Sequence, residues 1–225
     1  MKLENIYNQY AKKYDAKYQN EIHKMEDDIV SLILQTQTKR NKSVLDLGCG
    51  TGHAITLGNI QSADYIGIDF SKAMIEDAKL KFPNHSFVHD DIVTMPTLWF
   101  QDFDVILAIY GQVNYIGLDS FFDILDKYSA PHGKFLAIIY AKKGHEDFSY
   151  TEEHQNYFTK DEILQKLEER KRRGVVKGFS FENEINFKDQ LKTTITLDLF
   201  NMSDCKYYLI SNFDILMEKD NYAIT

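Results

Sequence analysis

The sequence has few of the residues that mark several large classes of protein. Its 225 residues include two cysteines, Cys49 and Cys205, which lie far apart and argue against a disulfide framework. Three prolines and eleven glycines form no linker between separate domains. No apolar run is long enough to span a bilayer, and the N-terminal MKLENIYNQY lacks the hydrophobic core of a signal peptide. These absences predict one cytoplasmic domain over residues 1–225.

Positive charge is also scarce. Lysine and arginine number 26 against 34 aspartates and glutamates, which gives a net charge of -8. Such a balance argues against nonspecific attraction to the phosphates of nucleic acid, and no membrane partner is expected because no apolar run is long enough to span a bilayer. The basic cluster at 170–177 suits the solvated C-terminal end of a helix. The seven histidines have no ligand-like spacing with each other or with the cysteines, so we expect no metal site.

The apolar residues, 44% of the chain, fall into a pattern of alternating elements. Helical spacing predicts an amphipathic helix over 20–36, in the residues Ile22, Met25, Ile29, Leu32 and Ile33. Short apolar runs then occur at 43–47, 65–68, 86–88, 103–109 and 134–140. Their separation by helical stretches is typical of an α/β fold with a parallel sheet covered by helices.

The C-terminal third has a different pattern. Thr159 followed by Glu162, with Phe158 and Ile163 flanking them, predicts a helix start with a capping box and a hydrophobic staple. Beyond Gly174 the apolar residues alternate, which predicts strands added in antiparallel fashion at one sheet edge.

The segment VLDLGCGTGHAI, residues 44–55, reads as a strand, a tight turn and a helix start. Glycines in such a turn let a ligand approach the backbone, and the helix start offers free N–H donors. A nucleotide-like ligand is therefore predicted. The dinucleotide fingerprint would need a glycine where His53 stands, which weakens an NAD-binding interpretation.

Two further strand ends carry carboxylates. Asp69 ends the second predicted strand, 23 positions after Asp46, and the third strand is followed by Asp90 and Asp91. Together with the spacing D-x-G-x-G-x-G from Asp46 to Gly52, this arrangement resembles the class I S-adenosylmethionine-dependent methyltransferases over roughly residues 7–140. The resemblance implies a Rossmann-like fold: a mostly parallel seven-stranded sheet, helices on both faces and antiparallel C-terminal strands.

The resemblance also implies the cofactor, S-adenosylmethionine, with S-adenosylhomocysteine as the product. The residues that match the family's cofactor contacts are Asp46 near the ammonium, Gly48, Cys49, Gly50 and Gly52 in the cradle for the methionine part, Asp69 at the ribose, Asp91 or its neighbour Asp90 with Ile92 at the adenine, Phe70 and Met74 as apolar walls, and Ala108 at the end of the fourth strand. Plainer roles stay open. Asp69 could serve the helix that Ser71 caps, Asp90 could be a solvated loop residue, and Met74 could be ordinary core.

Candidates for the acceptor side lie in three segments. The leader IYNQYAKKYDAKYQNE is similar to that of small-molecule N-methyltransferases, so residues 1–20 are expected to form a lid with Tyr14 at the cofactor. The cofactor-binding core is expected to span 21–140. Its fourth strand is followed by Tyr110, Asn114 and Tyr115. Segment 141–225 is expected to build the acceptor pocket and the last strands, with acceptor contacts from His145, His154 and Tyr157 and an inserted strand or hairpin at 183–203.

The function predicted is transfer of a methyl group to a nitrogen or oxygen of a small-molecule acceptor by in-line displacement. Tyr14, Tyr110 and His145 are the catalytic candidates, although the tyrosines could form a packing stripe and the histidines could lie at the surface. The alternatives are a peptide, protein or RNA methyltransferase, a noncatalytic S-adenosylmethionine-binding subunit, and an NAD-binding module.

Overall fold

The computed structural model describes residues 3–17, 42–94, 102–140, 156–172, 179–188, 194–202 and 205–216, and nine positions between 24 and 38: 24, 27, 28, 30–32, 34, 35 and 38. The chain forms two compact units. The first contains residues 1–107 and 124–134, and the second contains residues 108–123 and 135–225.

The first unit alternates strands with helices. It begins with helix α1 (Leu3–Tyr10), a 3₁₀ turn (Ala11–Lys13) and the short helix α2 (Tyr14–Lys17). Its strands are β1 (Val44–Leu47), β2 (Tyr65–Asp69), β3 (Ser86–His89) and β4 (Phe103–Ala108), the last residue of which belongs to the second unit. Helix α3 (His53–Gly58) follows β1, and helix α4 (Lys72–Lys81) follows β2. The predicted rhythm of strand and helix is confirmed here.

These strands form a parallel sheet in the order β3-β2-β1-β4. All four residues of β1 are buried, as expected for an inner strand. Because the strands are parallel, the residues that follow β2 and β3 meet at one edge of the sheet. The backbone N–H of Asp90 donates to the carbonyl oxygen of Asp69 across this edge, at 3.1 Å.

The helix predicted over 20–36 is present at each of its described positions between 24 and 35. Its buried stripe contains Val30 and Leu34, one turn apart, at 1% and 0% exposure. The placement of Leu32 on the apolar face was wrong, because that side chain is 70% exposed.

The second unit contains helix α5 (Gln112–Ile116), the first half of α6 (Leu118–Tyr128), the second half of β5 (Ser129–Tyr140) and helix α7 (Lys160–Arg172). Its further strands are β6 (Phe179–Lys188), β7 (Thr194–Met202) and β8 (Cys205–Leu216), and the order is β5-β8-β7-β6. The pairs β6–β7 and β7–β8 are antiparallel, as predicted, whereas β8 runs parallel to β5. A parallel pair needs a crossover connection. The chain between β5 and β8 contains α7, β6 and β7.

The described residues hold eight strands, one more than the seven of the family pattern. Strand β7 lies inside 183–203, where an inserted strand or hairpin was predicted. The predicted capping box is also present. The Thr159 N–H donates to Glu162 Oε2 at 2.7 Å, the Glu162 N–H donates to Thr159 Oγ1 at 3.2 Å, and Ile163 is fully buried.

Within these described segments, no helix combines the length and the apolar character needed to cross a membrane. They also contain no cluster of three or more histidine, cysteine or acidic side chains arranged to hold a metal ion.

Candidate functional site

The glycine loop between β1 and α3 has a backbone that side chains disfavour. Gly48, Gly50 and Gly52 have φ angles of 68°, 53° and 86°. A Cβ on Gly52 would lie 2.9 Å from the Phe82 ring, so this glycine is required for packing. A Cβ on Gly50 would meet nothing within 4 Å. Gly50 therefore leaves open space in front of the loop, as a cradle for a ligand requires.

Asp69, at the end of β2, connects this loop to the start of α4. Its Oδ2 accepts a hydrogen bond from the Gly50 N–H at 2.9 Å, and its Oδ1 accepts one from the Ser71 N–H at 2.7 Å. The side chain is buried, and burial raises the pKa of Asp69 to about 6, although the hydrogen bonds from the two backbone N–H groups lower it. A carboxylate has about four acceptor positions, so two remain for other donors. The capping role considered for this region is also present, since Ser71 Oγ accepts from the Met74 N–H at 3.3 Å.

Asp46, in the middle of β1, is a fully buried carboxylate with one unpartnered oxygen. Its Oδ2 accepts a hydrogen bond from the Tyr65 hydroxyl at 2.7 Å. Its Oδ1 is buried and has no hydrogen-bond partner among the residues that the structure describes. Burial raises the pKa of Asp46 to about 7, and the charge of Asp69 raises it as well, while the Tyr65 hydrogen bond lowers it. Such an oxygen suits a cationic N–H donor from a ligand.

Cys49 lies in the same loop and is chemically quiet. The side chain is 6% exposed, and burial, followed by the charges of Asp46 and Asp69, raises the pKa of its thiol well above the ordinary value. The thiolate form needed for nucleophilic chemistry is therefore disfavoured. The cysteine supports the loop by its backbone, by its packing and by a hydrogen bond from its thiol to the Gly50 carbonyl oxygen at 3.8 Å.

The adenine candidates after β3 form a tight turn. Asp90 Oδ1 accepts from the Asp91 N–H at 2.8 Å, and Asp91 Oδ1 accepts from the Val93 N–H at 2.9 Å. Asp91 is exposed, while Ile92, which lies between Asp91 and Val93, is buried. The turn thus fixes both carboxylates by their Oδ1 atoms.

The two predicted apolar walls differ in burial. Met74 is 1% exposed within α4. Phe70 is half-buried, and its ring meets that of Tyr7 edge-on, with the centroids 5.6 Å apart. Tyr7 in turn contacts Tyr14, with a centroid distance of 6.3 Å. The structure thus joins the predicted Tyr14 to Phe70 through Tyr7, for which both a lid role and a packing stripe were open.

The N-terminal helices are bonded to the elements that follow β1 and β2. Asn8 Oδ1 accepts from the Ser71 hydroxyl at 2.8 Å and from the Ala73 N–H at 3.1 Å. The buried Thr51 hydroxyl donates to Asp15 Oδ1 at 2.7 Å, and Lys81 pairs with the same carboxylate. These contacts were not predicted, because a single asparagine or aspartate in a polar helix carries no signal of its distant partner.

The remaining candidates belong to the second unit. Ala108 is fully buried at the end of β4, and Tyr110 after it has a φ of 57°, a left-handed conformation that is rare outside glycine. Asn114 is fully buried, and its Nδ2 donates to the carbonyl oxygen of Asn156 at 2.7 Å. Tyr115 and Tyr157 are half-buried.

His145 and His154 lie outside the described residues. One open cavity of the second unit, of about 490 Å³, is lined mainly by the start of α6 and by α7. None of the predicted site residues lines it, and Lys166 on its wall pairs with Asp119 at 2.9 Å.

Comparisons with known proteins identify the family of the chain. A family model described as a methyltransferase domain matches residues 38–172, which is more than half of the chain. The ubiquinone/menaquinone biosynthesis C-methyltransferase UbiE of Campylobacter jejuni is 28% identical over 143 residues, covering 56% of this chain and 60% of that protein. The uncharacterized protein MJ1252 of Methanocaldococcus jannaschii is 30% identical over 118 residues, covering 52% and 43% respectively. The chain thus spans about half the length of the curated relatives it matches.

A solved structure shows a similar fold over most of the chain. It is a chain of the complex between the Haloferax volcanii Trm112 methyltransferase activator and a protein described as "putative methyltransferase", with a TM-score of 0.56 and 17% identity over 82% of this chain and 80% of that one. The match at this identity concerns the fold alone. The family model, with the glycine loop and the carboxylates at the ends of β2 and β3, confirms the predicted resemblance, and the chain belongs to the methyltransferase domain family.

Proposed function

We propose that the protein transfers a methyl group from S-adenosylmethionine to a nitrogen or oxygen of a small-molecule acceptor. The observation that carries the proposal is the buried Oδ1 of Asp46, which has no partner in the described part of the chain, next to a glycine loop with open space at Gly50. The unpartnered carboxylate oxygen fits an ammonium group, and the open loop fits a ligand lying against the backbone.

The residues present fit the cofactor part by part. Asp46 would receive the ammonium, and the backbone of the loop from Gly48 to Gly52 would hold the methionine part. Asp69 retains two acceptor positions for the ribose hydroxyls while it binds the Gly50 N–H. Asp91 and Ile92 would meet the adenine.

S-Adenosylmethionine, when bound, supplies a methyl group that its sulfonium charge already activates. The protein must therefore align the acceptor and exclude water. An amine acceptor must lose its proton before it attacks, and a hydroxyl acceptor needs a nearby base. We propose Tyr14, Tyr110 and His145 for contacts with the reacting groups, and Asn114, Tyr115, His154 and Tyr157 for the acceptor.

A carbon acceptor is a second candidate. The observation in its favour is the match to UbiE, whose name describes a C-methyltransferase of ubiquinone and menaquinone biosynthesis. A peptide or RNA acceptor has less support, because the net charge of -8 disfavours a polyanion.

Incubation with S-adenosyl-[methyl-¹³C]methionine and a panel of amines, alcohols, phenols and quinols tests the proposal. We expect formation of S-adenosylhomocysteine that depends on one acceptor class, with the label on nitrogen or oxygen. Label on carbon would favour the second candidate. Binding of the cofactor without turnover across the panel would favour a noncatalytic subunit.

A further inference from the structure

Tyr65, the first residue of β2, reaches across the sheet to Asp46. The two side chains are each 1% exposed, and the tyrosine hydroxyl oxygen is 2.7 Å from Asp46 Oδ2. The strand register pairs Asp46 with Gly67 instead, so the hydroxyl must pass over the Gly67 position. The rings of His85 and Phe87 pack edge-on against Tyr65, with centroids 5.6 and 5.7 Å away.

Gly67 makes this approach possible. A Cβ at position 67 would lie 2.7 Å from the Tyr65 hydroxyl oxygen and 2.8 Å from Cys49 Sγ. Contacts this short are not tolerated, so any side chain at position 67 must displace the hydroxyl, the thiol or both. The glycine, the tyrosine and the aspartate therefore form one buried arrangement.

The two carboxylate oxygens of Asp46 have different surroundings. Oδ2 is bonded to the Tyr65 hydroxyl, while Oδ1 is buried without a partner in the described segments. A carboxylate fixed by one oxygen presents the other in a defined direction. An unpartnered buried acceptor is unfavourable in itself, which favours a donor in the loaded protein.

We infer that Tyr65 is a positioning residue: its hydroxyl fixes the Asp46 carboxylate so that the second oxygen accepts a hydrogen bond from the ammonium group of the cofactor. The inference rests on the proposed function, since it requires S-adenosylmethionine or its product at this loop.

The charges around Asp46 predict a pH signature. Burial raises the pKa of Asp46 to about 7, Asp69 raises it further, and Tyr65 and His53 lower it. Burial also raises the pKa values of Tyr65 and Cys49, so both stay neutral near pH 7. Removing the Tyr65 hydroxyl removes a group that stabilises the charged carboxylate, and the pKa of Asp46 should rise.

The test compares Tyr65→Phe with the wild-type protein by calorimetry between pH 6 and 9, using two probes. S-Adenosylhomocysteine carries the ammonium, whereas 5′-methylthioadenosine keeps the adenosine and the sulfur but lacks the amino acid part. We expect S-adenosylhomocysteine to bind roughly 10- to 100-fold more weakly to the variant at pH 7. The midpoint of its pH dependence should move upward by about one unit, and 5′-methylthioadenosine should bind both proteins equally.

A double-mutant cycle makes the assignment specific. In an Asp46→Asn background, Tyr65→Phe should cause no further loss of S-adenosylhomocysteine affinity. Gly67→Ala, whose Cβ would lie 2.7 Å from the Tyr65 hydroxyl oxygen and 2.8 Å from Cys49 Sγ, should also weaken S-adenosylhomocysteine binding.

Three outcomes would overturn the inference: equal loss of both probes, an unchanged pH midpoint, or a Tyr65→Phe protein that does not fold, because the hydroxyl would then serve the fold. Failure of the proposed function gives a different result, since the wild-type protein itself would bind neither probe.

Discussion

The Gly50 N–H and the Asp69 carboxylate form a hydrogen bond of 2.9 Å that joins the turn after β1 to the end of β2. The residue that matches the ribose acid of the family thus also holds the loop that matches the methionine cradle. A change at Asp69 should affect both parts of the proposed site together, because its two oxygens bind the loop and the α4 start, and we propose that they also bind the ligand.

Asp69→Ala should weaken S-adenosylhomocysteine binding by roughly 30- to 150-fold. Loss of a charged acceptor with two ligand hydrogen bonds corresponds to about 2–3 kcal/mol. Isothermal titration calorimetry measures the change, with the exposed Asp28→Ala as the control. Equal affinity in the folded variant and the wild-type protein would remove Asp69 from the site.

Gly50→Ala should abolish detectable cofactor binding and leave the fold intact, because its Cβ points into space that we assign to the ligand. Gly117→Ala is the matched control: this glycine also has a positive φ, 83°, and open space at its Cβ. Both changes strain the backbone by about 1–2 kcal/mol, so both should lower the melting temperature. An equal loss of affinity in the two variants would show that backbone strain, and not the space at Gly50, weakens binding. Wild-type affinity in Gly50→Ala would place the ligand elsewhere.

A cofactor analogue with a modified base can distinguish which of Asp91 and Asp90 contacts the adenine amino group. S-Inosylhomocysteine lacks the adenine amino group, so the wild-type protein should bind it more weakly than S-adenosylhomocysteine. Asp91→Ala should reduce this discrimination to less than about threefold, since a lost hydrogen bond accounts for about 1 kcal/mol. If Asp90→Ala removes the discrimination instead, the adenine assignment moves to Asp90.

The N-terminal segment should act as a lid on the cofactor. Deleting residues 1–18 removes the contacts of Asn8 with Ser71 and of Asp15 with Thr51. Binding should weaken by about tenfold or more without global unfolding. Hydrogen exchange should slow in this segment when S-adenosylhomocysteine is added, and equal protection with and without ligand would indicate a permanently docked helix.

Tyr14→Phe should lower the turnover rate while changing the melting temperature little, if the hydroxyl contacts the cofactor or the acceptor. Equal turnover in the variant and the wild-type protein would return Tyr14 to a packing role.

The carboxylates predict how stability varies with pH. An aspartate titrates near 3.8 when unfolded, whereas the pKa of Asp46 is about 7 in the folded protein. Between these two pH values the folded state holds a proton that the unfolded state has released. The stability that this proton contributes is fully present below pH 4 and is lost as the pH rises through 7. The free energy of unfolding should fall between pH 5 and 8 by on the order of 2–4 kcal/mol.

Asp69, with a pKa of about 6, and His53, whose pKa the Asp27 hydrogen bond raises, act in the same direction. Urea denaturation of Asp46→Asn should therefore show a flatter profile than the Asp28→Asn control. Identical slopes for the two variants would mean that Asp46 titrates normally in the folded chain.

Features that depend on neighbouring residues could be predicted from the sequence. The glycine loop, Asp69 at the end of a strand and the Thr159 capping box are short patterns, and the structure has the predicted local arrangement for each. Strand β7 within 183–203 was also predictable, because the apolar residues Ile195, Leu197 and Leu199 alternate there.

Contacts over long sequence distances could not be predicted. Tyr65 reads as an ordinary strand residue, and only the register that sets Asp46 opposite Gly67 reveals its partner. The same holds for Asn8, which meets the α4 start 63 positions away. Leu32 was misplaced because Val30 and Leu34 form the buried stripe of that helix.

Calorimetric titration of the wild-type protein with S-adenosylhomocysteine and, separately, with NAD decides between a methyltransferase cofactor site and a dinucleotide site. We expect saturable binding of S-adenosylhomocysteine at one site per chain, weakened by Asp69→Ala, and no competition by NAD. Absence of S-adenosylhomocysteine binding by the folded protein, or tighter binding of NAD at the same site, would contradict the proposed cofactor site.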